Sequence, residues 1–189
     1  NVAKNWVYAL IHASCLNTYS YLGYTDWRLP NRNELISLIN YGRASSATWL
    51  NTQGFKNVQP FLYWSSTTVH TTVEWYLDMD YNDIRVGDHL DDVDVWPVRD
   101  EQGSYAAPAA LPKTGQATCY DLAGNVISCT TQNLDQDGKL QKGVAWPNPR
   151  FAIGTGTEVD CVIDRLTGLM WAKSPDTTPR IWPQALAYV

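Results

Sequence analysis

From about residue 60 to residue 99 the chain alternates apolar and polar residues in four short runs, FLYWSSTTV, TVEWYLDMD, IRVGD and VDVWPVRD, with YNDI and GDHLDD as turns. A period of two broken by short turns predicts an antiparallel sheet. Helical patterns come before it. Residues 5–16 place Trp6, Ala9, Leu10 and Ala13 on one face at helical spacing. In RLPNRNELISLINYG, Asn31 caps a helix and Glu34 completes a capping box three residues on; Leu35, Leu38 and Ile39 form its buried stripe, and Gly42 stops it. Two helices followed by a sheet predict an α+β domain over residues 1–100.

Residues 101–118 lose both periodicities and gain Pro, Ala and Gly, the composition of a linker. Cys119 and Cys129 then bracket CYDLAGNVISC, two β-prone runs around a Gly-Asn turn. A hairpin closed by a disulfide fits this spacing and points to an oxidising, extracytoplasmic setting; two buried free thiols are the alternative. Residues 101–150 therefore read as linker and hairpin spacer. Residues 151–189 read as a strand pair around RLTG and a helix with Pro183 in its first turn. That last segment, RIWPQALAYV, repeats the Trp and the Ala-Leu pair of the opening AKNWVYALIHAS.

With 44% hydrophobic residues in 189, the chain can fill a core. Nine Trp and eleven Tyr against three Phe give most of its rings a polar handle, which suits half-exposed surfaces. A net charge of −5 and no Lys/Arg block argue against nucleic acid and anionic membranes as partners. No apolar run reaches the roughly eighteen residues that span a bilayer. The start at Asn1 predicts a mature product or a fragment.

Several motifs have competing readings. LPKTG at 111–115 matches a sorting signal, but the apolar stretch and basic tail such a signal needs are replaced by QATCYDLAG, so it reads as linker. NLDQDGKL sets Asn133, Asp135 and Asp137 at alternate positions before Gly138, like a calcium loop; the acidic ligand six residues on is Val144, which leaves a looser calcium site or a plain Asp-Gly turn. Asp78, Asp80, Asp83, Asp88, Asp91, Asp92 and Asp94 crowd the sheet turns, and alternation assigns Asp78 and Asp80 to the solvent face. His12, His70 and His89 sit in separate elements and form no catalytic spacing. No enzyme, cofactor or resident metal is expected.

GYTDWRLPNRNELISLINYG, YWSSTT and VWPVRD together resemble the DUF1566 family, also called the Lcl C-terminal domain family, within the C-type-lectin-like superfamily. The resemblance implies a C-type-lectin-like fold and a structural corner built on Trp27, Arg28, Pro30, Asn31 and Glu34, with Trp96 and Arg99 in the closing motif. In that family TGLMW and W..AL.Y open the domain; here RLTGLMWAK and WPQALAYV come after the rest of it. The chain thus resembles a window on a tandem array whose first domain lacks its own first strand. The resemblance implies a sheet edge left open within residues 60–99, to be covered by the 157–173 strand of the same chain or of another copy. It also implies a Cys15–Cys161 bridge, since strand and helix are neighbours in the family's order. By the same analogy the expected function is adhesion or ligand binding outside the cell or at its surface, with a glycan, a protein or other copies of the chain as partners; a fibre subunit built by strand exchange is the alternative. The candidate binding residues are Trp64, Trp75, Tyr76, Asp80, Tyr81, Asp83, Asp91 and Asp92.

Overall fold

The computed structural model describes residues 3–100, 110–121, 123–130 and 134–188. The chain forms two compact units, Asn1–Ala145 and Trp146–Val189. It is a mixture of helices and antiparallel sheets, the α+β class. Among the described residues no helix is long and apolar enough to cross a membrane.

In the first unit, α1 spans Trp6–Thr18 and starts at Asn5, whose side chain accepts from the Tyr8 amide at 3.1 Å. Its buried face is the expected one: Trp6, Ala9, Leu10 and Ala13. The Asn31/Glu34 capping box also forms, with the Glu34 amide donating to Asn31 Oδ1 at 2.9 Å and the Asn31 amide to Glu34 Oε2 at 2.7 Å. The helix behind it, α2, is only Arg32–Ile36 and does not run on to Gly42. Ser37 Oγ donates to the Glu34 carbonyl at 2.7 Å, the acceptor the next helical turn would use. Leu38 and Ile39 reach the core through tight turns instead. A third helix, α3 over Ser46–Thr52, was not expected; Ser45 caps it, and Ala47 and Leu50 are buried. Residues 3–100 therefore hold three α-helices, not two. Replacing Asn31 with Ala is expected to cost about 1 kcal/mol, read from urea unfolding, because it leaves helix-end donors without partners.

Strands β1 (Leu62–His70), β2 (Val73–Asp78) and β3 (Asp83–Asp88) form an antiparallel sheet in that order. Tyr63 pairs with Leu77 and Trp64 with Tyr76, so the two pairs face opposite sides. Tyr63 and Leu77 join Leu35, Ala47, Leu50, Val58 and Met79 under α2 and α3. Trp64 joins Trp6, Ala9, Leu10, Leu29 and Val93 under α1. The sheet is the middle of three layers. Neither face is a solvent face, which is why Asp78 is buried rather than exposed, whereas Asp80, just beyond the strand, is exposed.

VDVWPVRD does not form a fourth strand. Val93, Asp94 and Val98 make isolated bridges to Lys4, Tyr63 and Arg28, the one to Tyr63 being parallel. Pro97 has no amide to extend a ladder. This segment closes part of the β1 edge: the Trp64 amide donates to the Asp94 carbonyl and the Asp94 amide to the Leu62 carbonyl, both at 3.0 Å. Among the described residues the outer side of β3 likewise has no strand partner.

Within the first unit, the chain beyond residue 109 packs back on this domain. Strands β4 (Cys119–Tyr120) and β5 (Val126–Ile127) form the expected hairpin, and Cys119 and Cys129 are bonded with their Cα atoms 5.2 Å apart. Gly124 turns it at φ +78°, and Asp121 gathers the amides of Ala123 and Asn125. In LPKTG, the Pro112 carbonyl accepts from Asn33 Nδ2 at 2.8 Å and Thr114 Oγ1 donates to Asp137 at 2.6 Å. Asp137 opens α4 (Asp137–Leu140) and also accepts from Thr67 of β1 at 2.8 Å. The Thr118 carbonyl passes so close to Gly138 that a Cβ there would collide with it.

The second unit is an antiparallel sheet of β6 (Phe151–Ile153), β7 (Cys161–Asp164) and β8 (Met170–Ala172), followed by α5 (Trp182–Tyr188). Asp164 orders it, accepting two bonds from Arg150 at 2.9 and 2.8 Å and others from Leu166 and Thr167. These hold its carboxyl well below the usual carboxylate range, the Arg150 bonds most of all. Cys161 in this unit and Cys15 in the first are free thiols.

Candidate functional site

A cleft of about 400 Å³ opens on the first unit where the β2–β3 turn, the start of β1 and residues 92–94 meet. Buried Asp78 shapes it. One carboxylate oxygen accepts from the amides of Asp80 at 3.1 Å and Tyr81 at 3.2 Å, and the other lies 3.2 Å from Arg85. This fixes the turn, with Asn82 in the left-handed region at φ 52°, and leaves the Asp80 and Tyr81 side chains exposed at the rim. Arg85 also lies over the Tyr81 ring, 4.4 Å from its centroid.

The opposite wall is Asp92 and Asp94, held by the bridges that close the β1 edge. Asp94 is 8% exposed. Phe61 supplies an exposed apolar wall beside them. No Lys or Arg is among the lining residues, so the cleft is acidic with aromatic sides. It suits a ligand that brings hydrogen-bond donors and an apolar face.

Three of the eight residues singled out from sequence, Asp80, Tyr81 and Asp92, meet in this cleft. Asp83 is beside the turn and faces Arg85 at 3.8 Å. Asp91 is used locally, accepting from the Asp88 amide at 3.1 Å. The three ring candidates of the sheet serve packing. Trp64 is fully buried and donates Nε1 to the Lys4 carbonyl at 2.7 Å, which leaves it no face for a ligand. Tyr76 packs edge-on against Trp64, and Trp75 is covered by the Arg32 guanidinium 4.2 Å from its ring centroid. Phe61 was missed, and Asp94 was named among the turn carboxylates but not among the binding candidates, because what brings them to the site is the non-local crossing of residues 92–94 over β1.

The corner residues form a second, structural constellation. Arg28 binds both oxygens of Glu34 at 2.8 Å and Asp100 at 2.7 Å. Trp27 Nε1 donates to the Tyr21 carbonyl, and the Pro30 carbonyl accepts from Ser66. Trp96 packs against Phe55 and Tyr63, while Arg99 pairs with Asp26 and lies over Tyr24. Asp135 pairs with Lys139, Asp137 is buried with its carboxyl pushed up by desolvation, and Asn133 lies outside the described residues. No group of three or more metal-ligating side chains occurs among the described residues.

No curated protein and no solved structure matches the chain. The family model for the Lcl C-terminal domain matches residues 1–99, just over half of the chain, which carry the corner, the sheet and the cleft, and the protein belongs to that family.

Proposed function

We propose that the protein is a non-catalytic binding module of C-type-lectin-like fold, acting outside the cell or at its surface and holding a glycan or protein ligand in the cleft at the β2–β3 turn. The convergence of Asp80, Tyr81, Asp92 and Asp94 beside Phe61 carries this reading. Carboxylates accept bonds from hydroxyl or ammonium donors, and the two rings offer apolar faces for stacking. The hairpin disulfide fits an oxidising setting.

The test is a glycan and protein binding screen, followed by titration calorimetry on any hit with the Asp80→Asn/Asp92→Asn double variant and with Tyr81→Ala. Each is expected to weaken binding at least tenfold without lowering the midpoint of thermal unfolding, since all three side chains are exposed. Unchanged affinity in both would refute the site. The second reading, a subunit of a self-assembling fibre, draws on the apolar surface of the second unit; light scattering with and without reductant tests it through the size of the particles.

A further inference from the structure

The second unit is bare for a folded body. Among its described side chains only Gly154 and Asp164 are buried, while Phe151, Ile153, Met170, Trp171, Trp182 and Leu186 are exposed. Apolar surface of that extent marks an interface. The same chain shows what covers such a surface. Helix α1 reads Trp6-x-x-Ala9-Leu10 and α5 reads Trp182-x-x-Ala185-Leu186, at identical spacing. In α1 the three side chains are 2%, 0% and 3% exposed, packed in one cluster with Leu29, Trp64 and Val93, and Trp6 Nε1 donates to the Ser65 carbonyl at 2.8 Å. In α5, Trp182 is 74% and Leu186 60% exposed.

We propose that α5 is the docking helix of a second copy of this domain, and that its Trp182-Ala185-Leu186 face is covered by a copy of the segment that covers α1, residues 19–100, following α5 as that segment follows α1. This repeats an interface the chain already makes. Pro183 fits it, because an amide in the first helical turn has no intrahelical acceptor to lose. The finished domain of another molecule does not serve, since its own α1 fills the place.

The experiment compares the 189-residue chain with the same chain carrying residues 19–100 appended after Val189, by amide hydrogen exchange over 182–188 and Trp emission. The extended chain is expected to slow exchange there at least a hundredfold and to shift emission to the blue. Trp182→Glu/Leu186→Glu in the extended chain should undo both changes and leave protection of α1 intact. Equal exchange with and without the extension, from whatever cause, overturns the proposal. So does an α5 already as protected as α1 in the unextended chain, whether as a monomer or through concentration-dependent self-association.

Discussion

Glu74→Gln raises the unfolding free energy by roughly 3–5 kcal/mol at pH 8.5 and changes it little at pH 4. Glu74 lies on the central strand, 2% exposed, opposite Thr68 in the register. Its Oε2 and the Thr68 hydroxyl are both buried without a hydrogen-bond partner. Desolvation, with a further push from Asp88, raises the Glu74 carboxyl to about 8. A carboxyl whose folded value lies above its unfolded value of about 4.5 contributes its full stability below the unfolded value. Between the two values the unfolded chain gives up a proton that the folded chain keeps, so stability falls as pH rises and levels off above the folded value. Gln is neutral throughout, and its amide offers Thr68 a donor. Urea unfolding at pH 4, 6 and 8.5 checks this: the wild-type curve should decline and the variant should lack that decline. Parallel curves would show that Glu74 is not held neutral.

What could be read from sequence here is what neighbouring residues decide. The buried face of α1, the Asn31/Glu34 box, three strands and the Cys119–Cys129 hairpin depend on residues a few positions apart, and all are present. Short α3 was missed because about two turns carry too little periodicity. The facing of Asp78 was misread for a different reason. Alternation separates the two faces of a strand but does not say that both are covered, and α1 covers the second one. The same limit applies to the site. Asp80 and Tyr81 share a turn and were found together, whereas Asp94 and Phe61 reach them only because residues 92–94 cross β1 in a parallel sense. Ring type alone did not distinguish the stacking candidate Tyr81 from the core ring Trp64.

Arg28→Met is expected to lose roughly 3–5 kcal/mol, the range for removing one partner of a buried charge cluster. The guanidinium is 5% exposed, and burial alone would lower its pKa; bonds to Glu34 and then Asp100 reverse that and raise it above the ordinary value. Glu34 in turn holds the Asn31 amide, and Asp100 pairs with Lys142. Burial opposes the charge on Asp100 too, but Lys142 and Arg28 hold its carboxyl below the usual range. Removing Arg28 therefore strips a partner from Glu34 and from Asp100 at once, loosening the cap of α2 and the attachment of the segment around Lys142 together. Lys in its place should recover less than half of the loss, because a single ammonium cannot present the fork that meets both Glu34 oxygens and Asp100. Amide exchange gives a second readout that a general loss of packing would not imitate: in Arg28→Met, protection should drop first at Lys113 and Val144, whose amides donate to the Val144 and Leu111 carbonyls close in sequence to Lys142. A loss under 1 kcal/mol with those amides unchanged would mean that Lys142 and the capping box hold the corner without Arg28.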